Sequence, residues 1–102
     1  MARILVPLAP GCEELEAVTV IDLLRRAQFE VVSVGLAPGP VQCSRGTVLL
    51  PDTTLDAALK QDYDMIVLPG GQPGATNLEH DARILALLKK MTAAGKFTAA
   101  IC

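Results

Sequence analysis

Hydrophobic positions along the chain alternate between two periods, and the changes of period predict where strands give way to helices. Residues 3–9 are almost wholly apolar and run into Pro10-Gly11, as expected for a strand covered on both faces. Over 13–27 the period becomes helical, with Ala17, Val20, Ile21, Leu24 and Ala27 recurring on one side. Acids crowd the first turn of that segment and Arg25 and Arg26 occupy the last, an order that complements the helix dipole. Residues 30–36 are rich in β-branched side chains and bounded by Pro38-Gly39-Pro40, which predicts a second strand. Residues 41–43 and 47–50 read as short extended pieces around Ser44-Arg45-Gly46. Residues 54–60 read as a short helix with Thr53 or Thr54 as its cap. A third main strand is predicted over 64–68, ending at Pro69-Gly70-Gly71. Residues 81–94 form a helix with Ile84, Leu87, Leu88 and Met91 on one face and Gly95 as its stop. A fourth strand, 97–101, leads to Cys102.

Strands alternating with helices predict an α/β fold: a doubly wound parallel sheet with helices on both faces and right-handed crossovers. Ligands in such sheets bind at the carboxyl ends of the strands. Residues 7–11, residues 69–74 and Cys102 therefore belong to one functional edge.

Composition narrows the function classes. The 102 residues are 51% hydrophobic but only 20% charged and 3% aromatic, which is greasy for a chain that must cover itself; a covering partner or a further part of the fold is expected. Nine Lys and Arg against eleven Asp and Glu give a net charge of −2, so no basic stripe exists for nucleic acid. Apolar runs are far shorter than the ~20 residues of a membrane span, and the first residues lack the apolar stretch of a signal peptide. Cys12, Cys43 and Cys102 are odd in number and widely spaced, matching neither a disulfide framework nor a CxxC zinc pair. A reducing, cytoplasmic location is the expectation.

Few residues are placed for chemistry. Cys102 follows a small apolar strand where a nucleophile elbow would turn into a helix, and the positive end of a helix dipole there would favour the thiolate. The competing reading is a buried structural thiol, a common fate of free cysteine. Glu16 falls at the edge of the apolar face of its helix, where a carboxylate needs a partner; protonated, it could donate a hydrogen bond to a thiolate. Alternatively it is one more first-turn acid beside Glu13 and Glu14. Gly70 and Gly71 end a buried strand and could turn backbone N–H groups into a cavity, as an oxyanion hole requires, although an ordinary tight turn uses the same residues. His80, the only histidine, reads as a solvated surface side chain, and Arg26 and Arg45 as surface charges able to neutralise an anion.

Taken in order, Ile4-Leu5-Val6-Pro7-Leu8-Ala9, Gly11-Cys12-Glu13-Glu14-Leu15-Glu16, Asp22-Leu23-Leu24-Arg25-Arg26-Ala27, Val41-Gln42-Cys43-Ser44-Arg45, Leu68-Pro69-Gly70-Gly71, Gly74-Ala75 with Asn77-Leu78, and Ala99-Ala100-Ile101-Cys102 form a set that resembles the ThiJ/PfpI superfamily, in its parkinsonism-associated deglycase and YajL-like branch. The resemblance spans the whole chain. It implies a flavodoxin-like fold, no cofactor and no metal. It makes Cys102 the reactive elbow cysteine, Glu16 its partner acid, and Gly71, with Gly70 beside it, an oxyanion-side backbone donor. Asp22, Arg26 and Arg45 match positions near the pocket and the dimer seam, and a homodimer of the complete protein is implied. The implied activity is a glutathione-independent glyoxalase or deglycase acting on methylglyoxal-like α-oxoaldehydes or their adducts. The alternative is an oxidative-stress sensor and redox-regulated chaperone using the same cysteine without turnover; a third reading is a fold without remaining activity. Family members are nearly twice as long, and neither the histidine they place near the thiol nor the residue after the cysteine is present. The expectation is therefore an N-terminal portion of a single α/β domain, completed by a C-terminal half that is carried, for instance, as a separate chain after cleavage at Cys102.

Overall fold

The first strand, β1 (Arg3–Leu8), is the spine of the molecule because all of its side chains from Ile4 onward are buried. Alternation along it sends Ile4, Val6 and Leu8 to one face of the sheet and Leu5 to the other. The computed structural model describes residues 2–101. In chain order β1 is followed by α1 (Glu14–Arg26), β2 (Glu30–Gly35), the antiparallel pair β3 (Val41–Gln42) and β4 (Val48–Leu49), and β5 (Thr53–Thr54). Then come α2 (Leu55–Ala58), β6 (Met65–Leu68), α3 (Gly74–Glu79), α4 (Ala82–Ala93) and β7 (Phe97–Ala100). The main sheet has the order β5-β2-β1-β6-β7 with every pairing parallel.

Both faces are covered. On one, Ala17 of α1, partly buried Val20, Ile21 and Leu24, and Val41 and Cys43 pack on Ile4, Val6, Leu8, Val31 and Val67. On the other, Leu55 and Ala58 of α2 and Ile84, Leu87 and Met91 of α4 pack on Leu5, Val34 and Ile66. Each large aliphatic side chain so buried contributes roughly 1.5–3 kcal/mol, which makes the strands' continuous apolar runs the main source of stability.

From β1 the chain winds outward to β2 and β5, then returns across β1 to β6 and β7. The reversal opens a crevice beyond the carboxyl ends of β1 and β6. Pro7 has no N–H for a ladder, and β1 pairs with β6 only at Ile4↔Met65 and Leu5↔Ile66, so the two strands part before the crevice.

The elements match the hydrophobic pattern with three differences. The short helix is trimmed to Leu55–Ala58, and Thr54 is its cap, accepting the Ala57 N–H at 3.2 Å. Strand β5 is only two residues long, too short to show a period, and exists through its pairing with Val34 and Gly35. Helix α3 carries no apolar stripe and no side-chain cap. Tertiary contact supports it instead: the Asn77 side-chain amide donates to the Pro10 carbonyl at 2.8 Å.

Candidate functional site

Glu13 precedes helix α1 and caps it, its carboxylate accepting the Leu15 N–H at 3.2 Å. The Glu13 N–H donates to the Gly70 carbonyl at 2.8 Å. One turn later, Glu16 Oε1 accepts the Gly70 N–H at 2.9 Å. A single helix end therefore holds both sides of Gly70 and fixes the loop after β6 against the loop after β1. Gly71 completes the approach. Its φ of +93° is left-handed, and a Cβ there would lie 2.5 Å from the Glu13 nitrogen. Gly74 is equally confined, since its Cβ would meet the Cys12 nitrogen and Cα at 2.5 Å.

The result is a cleft of 320 Å³ bordered by Glu13, Glu16, Gly70, Gly71, Ala75 and Ile101. Ile101 reaches it because its N–H donates to the Leu68 carbonyl at 3.0 Å, carrying the β6–β7 ladder one residue beyond β7. An apolar groove of 250 Å³ adjoins the cleft and shares Ala75 and Ile101 with it. Among the described residues the Gly71 N–H and Glu16 Oε2 have no hydrogen-bond partner, whereas the Gly70 N–H is already engaged.

The structure brings Glu16, Gly70 and Gly71 together at the switch point of the sheet. Cys102 lies outside the described residues. Asp22 and Arg26 are elsewhere: they form an exposed i,i+4 ion pair at 2.6 Å on α1 and do not border the cleft. Arg45 sits in the β3–β4 turn, where its backbone N–H donates to Glu14 at 3.0 Å. His80 is exposed at the end of α3.

Two features escape sequence reasoning. Glu14 does more than complement a dipole: its carboxylate accepts the N–H groups of Arg45 and Thr47 and the Ser44 hydroxyl, gripping the β3–β4 turn. Desolvation works to raise its pKa, but hydrogen bonds from the backbone N–H groups of Glu14 itself, Thr47 and Arg45 outweigh it and bring the carboxyl down to about 2. The only local signal was a run of acids opposite a Ser-Arg-Gly-Thr turn. Second, Cys12 and Cys43, 31 positions apart, are in contact.

The sequence profile of the DJ-1/PfpI family matches residues 2–102. The chain belongs to the DJ-1/PfpI family. It is 45% identical over 102 residues to the Parkinson disease protein 7 homolog of Danio rerio, covering 98% of this chain and 54% of that relative. It is 35% identical over 101 residues to the glutathione-independent glyoxalase DJR-1.2 of Caenorhabditis elegans, covering 99% of this chain and 53% of that one. The structure of oxidised Toxoplasma gondii DJ-1 superposes with a TM-score of 0.97 at 43% identity, over 100% of this chain and 56% of the other. The chain thus spans about half the length of these DJ-1/PfpI relatives. Among the described residues no group of His, Cys, Asp or Glu could hold a metal ion, and no helix is long and apolar enough to cross a membrane.

Proposed function

We propose that this chain is the N-terminal portion of a cysteine-dependent, glutathione-independent glyoxalase or deglycase acting on methylglyoxal-like α-oxoaldehydes or their adducts. One observation carries the reading. At the switch point of the sheet, Glu16 is tethered through one carboxylate oxygen; among the described residues its other oxygen and the nearby Gly71 N–H have no partner, and Ile101, which precedes Cys102 in the chain, borders the same cleft. The C. elegans relative, described as a glutathione-independent glyoxalase, supports the same chemistry.

In this reading the Cys102 thiolate adds to the aldehyde carbon of methylglyoxal, and the carbonyl oxygen takes a proton to give a hemithioacetal. Glu16 moves the proton from the former aldehyde carbon to the neighbouring carbon through an enediol, leaving a lactate thioester on the sulfur. The Gly71 N–H stabilises the charge that develops on oxygen. Water then cleaves the thioester, releasing lactate and the thiol; the sum is addition of one water, with no net oxidation. The working form in this proposal is a cytoplasmic homodimer completed by the C-terminal half of the domain, with Asp22, Arg26 and Arg45, which do not border the cleft, near its seam. The half-exposed Val18 and exposed Leu15 and Leu23 on α1 favour such a seam.

The test is lactate formation from methylglyoxal by the chain joined to the remainder of its domain. Turnover is expected to vanish in Cys102→Ser; equal turnover by that variant would eliminate the mechanism. The oxidised state of the T. gondii structure favours a second reading, a sensor or chaperone switched by oxidation of Cys102. Client-protein aggregation followed during a peroxide titration separates the two, because protection that does not depend on Cys102 leaves the sensor reading without its switch.

A further inference from the structure

Away from the cleft, the structure holds a pair of thiols that the proposed chemistry does not use. Cys12 lies in the loop after β1 and Cys43 just after β3; both are free and buried, and their sulfurs are 3.8 Å apart. Backbone hydrogen bonds bracket the contact. The Gly11 N–H donates to the Gln42 carbonyl at 2.9 Å, and the Ser44 N–H donates to the Cys12 carbonyl at 2.8 Å. Gly11 and Cys12 thus lie opposite Cys43 with the backbones at strand-pairing distance, a separation a disulfide can span. Closing the gap to a bond of about 2.05 Å needs each sulfur to move by just under about 1 Å, within reach of small side-chain rotations.

We infer that Cys12 and Cys43 form a reversible intramolecular disulfide that locks the loop after β1 to the β3–β4 hairpin. With hydrogen peroxide as the oxidant, the less buried Cys43 releases its thiol proton and attacks one peroxide oxygen as the thiolate; the O–O bond breaks and the departing hydroxide takes up that proton, giving a sulfenic acid and one water. The Cys12 sulfur then attacks the Cys43 sulfur; the S–S bond forms as the S–O bond breaks, and the hydroxyl leaves with the Cys12 proton as the second water. Two thiols and one peroxide become one disulfide and two waters, and two electrons pass from the sulfurs to the peroxide oxygens. A small dithiol such as dithiothreitol reverses the bond. Burial, and then the neighbouring Cys43, push the Cys12 thiol up to about 12, and burial also raises Cys43. The pair is accordingly protonated at neutral pH, and its oxidation waits on opening of the loop, which sets a slow rate. Glu13, the next residue after Cys12, holds Gly70, so the lock lies one residue from the cleft.

The experiment uses the chain carrying Cys102→Ser, which leaves Cys12 and Cys43 as its only thiols. After prolonged peroxide treatment the intact mass is expected to fall by about 2 Da, the two hydrogens lost on bond formation. Trypsin should then release residues 4–25 linked to residues 27–45, and dithiothreitol should separate them. Closing the loop should raise Tm by about 5 °C or more. Cys12→Ala and Cys43→Ala should each abolish the linked peptide and the Tm rise. Two thiols still free to alkylation after unfolding, a link between two chains, or oxygen addition at Cys43 without the link would overturn the inference.

Discussion

Gly70 is held from both sides by one helix end, its carbonyl by the Glu13 N–H and its own N–H by Glu16. Glu16→Gln keeps an acceptor at that place but removes the acid. It should leave Tm nearly unchanged and lower kcat for lactate formation by about 100-fold or more, the share of a general acid–base group. Unaltered kcat would show that Glu16 only braces the loop. Gly74→Ala would drive a Cβ into the Cys12 backbone and should destabilise by about 1–3 kcal/mol, measured by urea unfolding. Glu14 predicts an acid limb. Its folded pKa of about 2 is depressed from the ordinary 4.5, so its contribution is whole above the ordinary value and is lost as pH falls through about 2. Urea midpoints of the parent and Glu14→Gln should therefore differ more at about pH 5 than at about pH 3. A gap independent of pH would assign Glu14 a packing role alone.

The elements differ in how far they stand on their own residues. Helix α4 carries its start signal in the chain: the Asp81 carboxylate accepts the N–H groups of Arg83 and Ile84. The hydrogen bond from the Arg83 side chain, followed by the other bonds Asp81 accepts, outweighs desolvation and lowers the Asp81 pKa. Arg83 also reaches Asp56 and the Leu36 carbonyl, tying α4 to the opposite end of the sheet. Asp81→Ala should cost about 1–2 kcal/mol of stability, seen as a lower urea midpoint, and a neutral result would mean that Arg83 finds compensation elsewhere. Helices α1 and α4 were legible because an amphipathic stripe, the acid-to-base order of α1 and the Gly95 stop after α4 are local. Helix α3 was not legible, since its first turn leans on the loop before it, with the Ala75 N–H donating to Gly71 and the Asn77 N–H to Pro73.

For the molecule as a whole, the accessible area of 5745 Å² is close to the roughly 5,500 Å² typical of a globule this size. The excess of apolar residues shows in what that surface is made of: Leu50, Leu15 and Phe97 are 79%, 72% and 71% exposed. β7 is an edge strand, paired only with β6 among the described residues, and most of its side chains are open to solvent. Such an edge templates self-association. Phe97→Thr, which keeps strand propensity, should reduce concentration-dependent association of the 102-residue chain in light scattering without lowering Tm. Association that persists unchanged would place the sticky surface elsewhere, for which α1 is the next candidate.

The amino-acid order alone determined the main strands and the two long helices, because hydrophobic period and capping are properties of neighbouring residues. It also carried the parallel α/β class and, through an ordered set of motifs, the resemblance to the DJ-1/PfpI family. Sheet order is another matter. That β6 lies beside β1 depends on pairing between residues 61 positions apart, Ile4 with Met65 and Leu5 with Ile66, and the crevice it opens is where Glu16 meets Gly70, 54 positions on. The Glu14 grip on the β3–β4 turn and the Cys12–Cys43 contact are likewise long-range, and no periodic signal announces them. Tertiary structure decided these because a side chain's partner across the fold is chosen by the packing of whole elements, whereas its helix or strand is chosen by the few residues on either side.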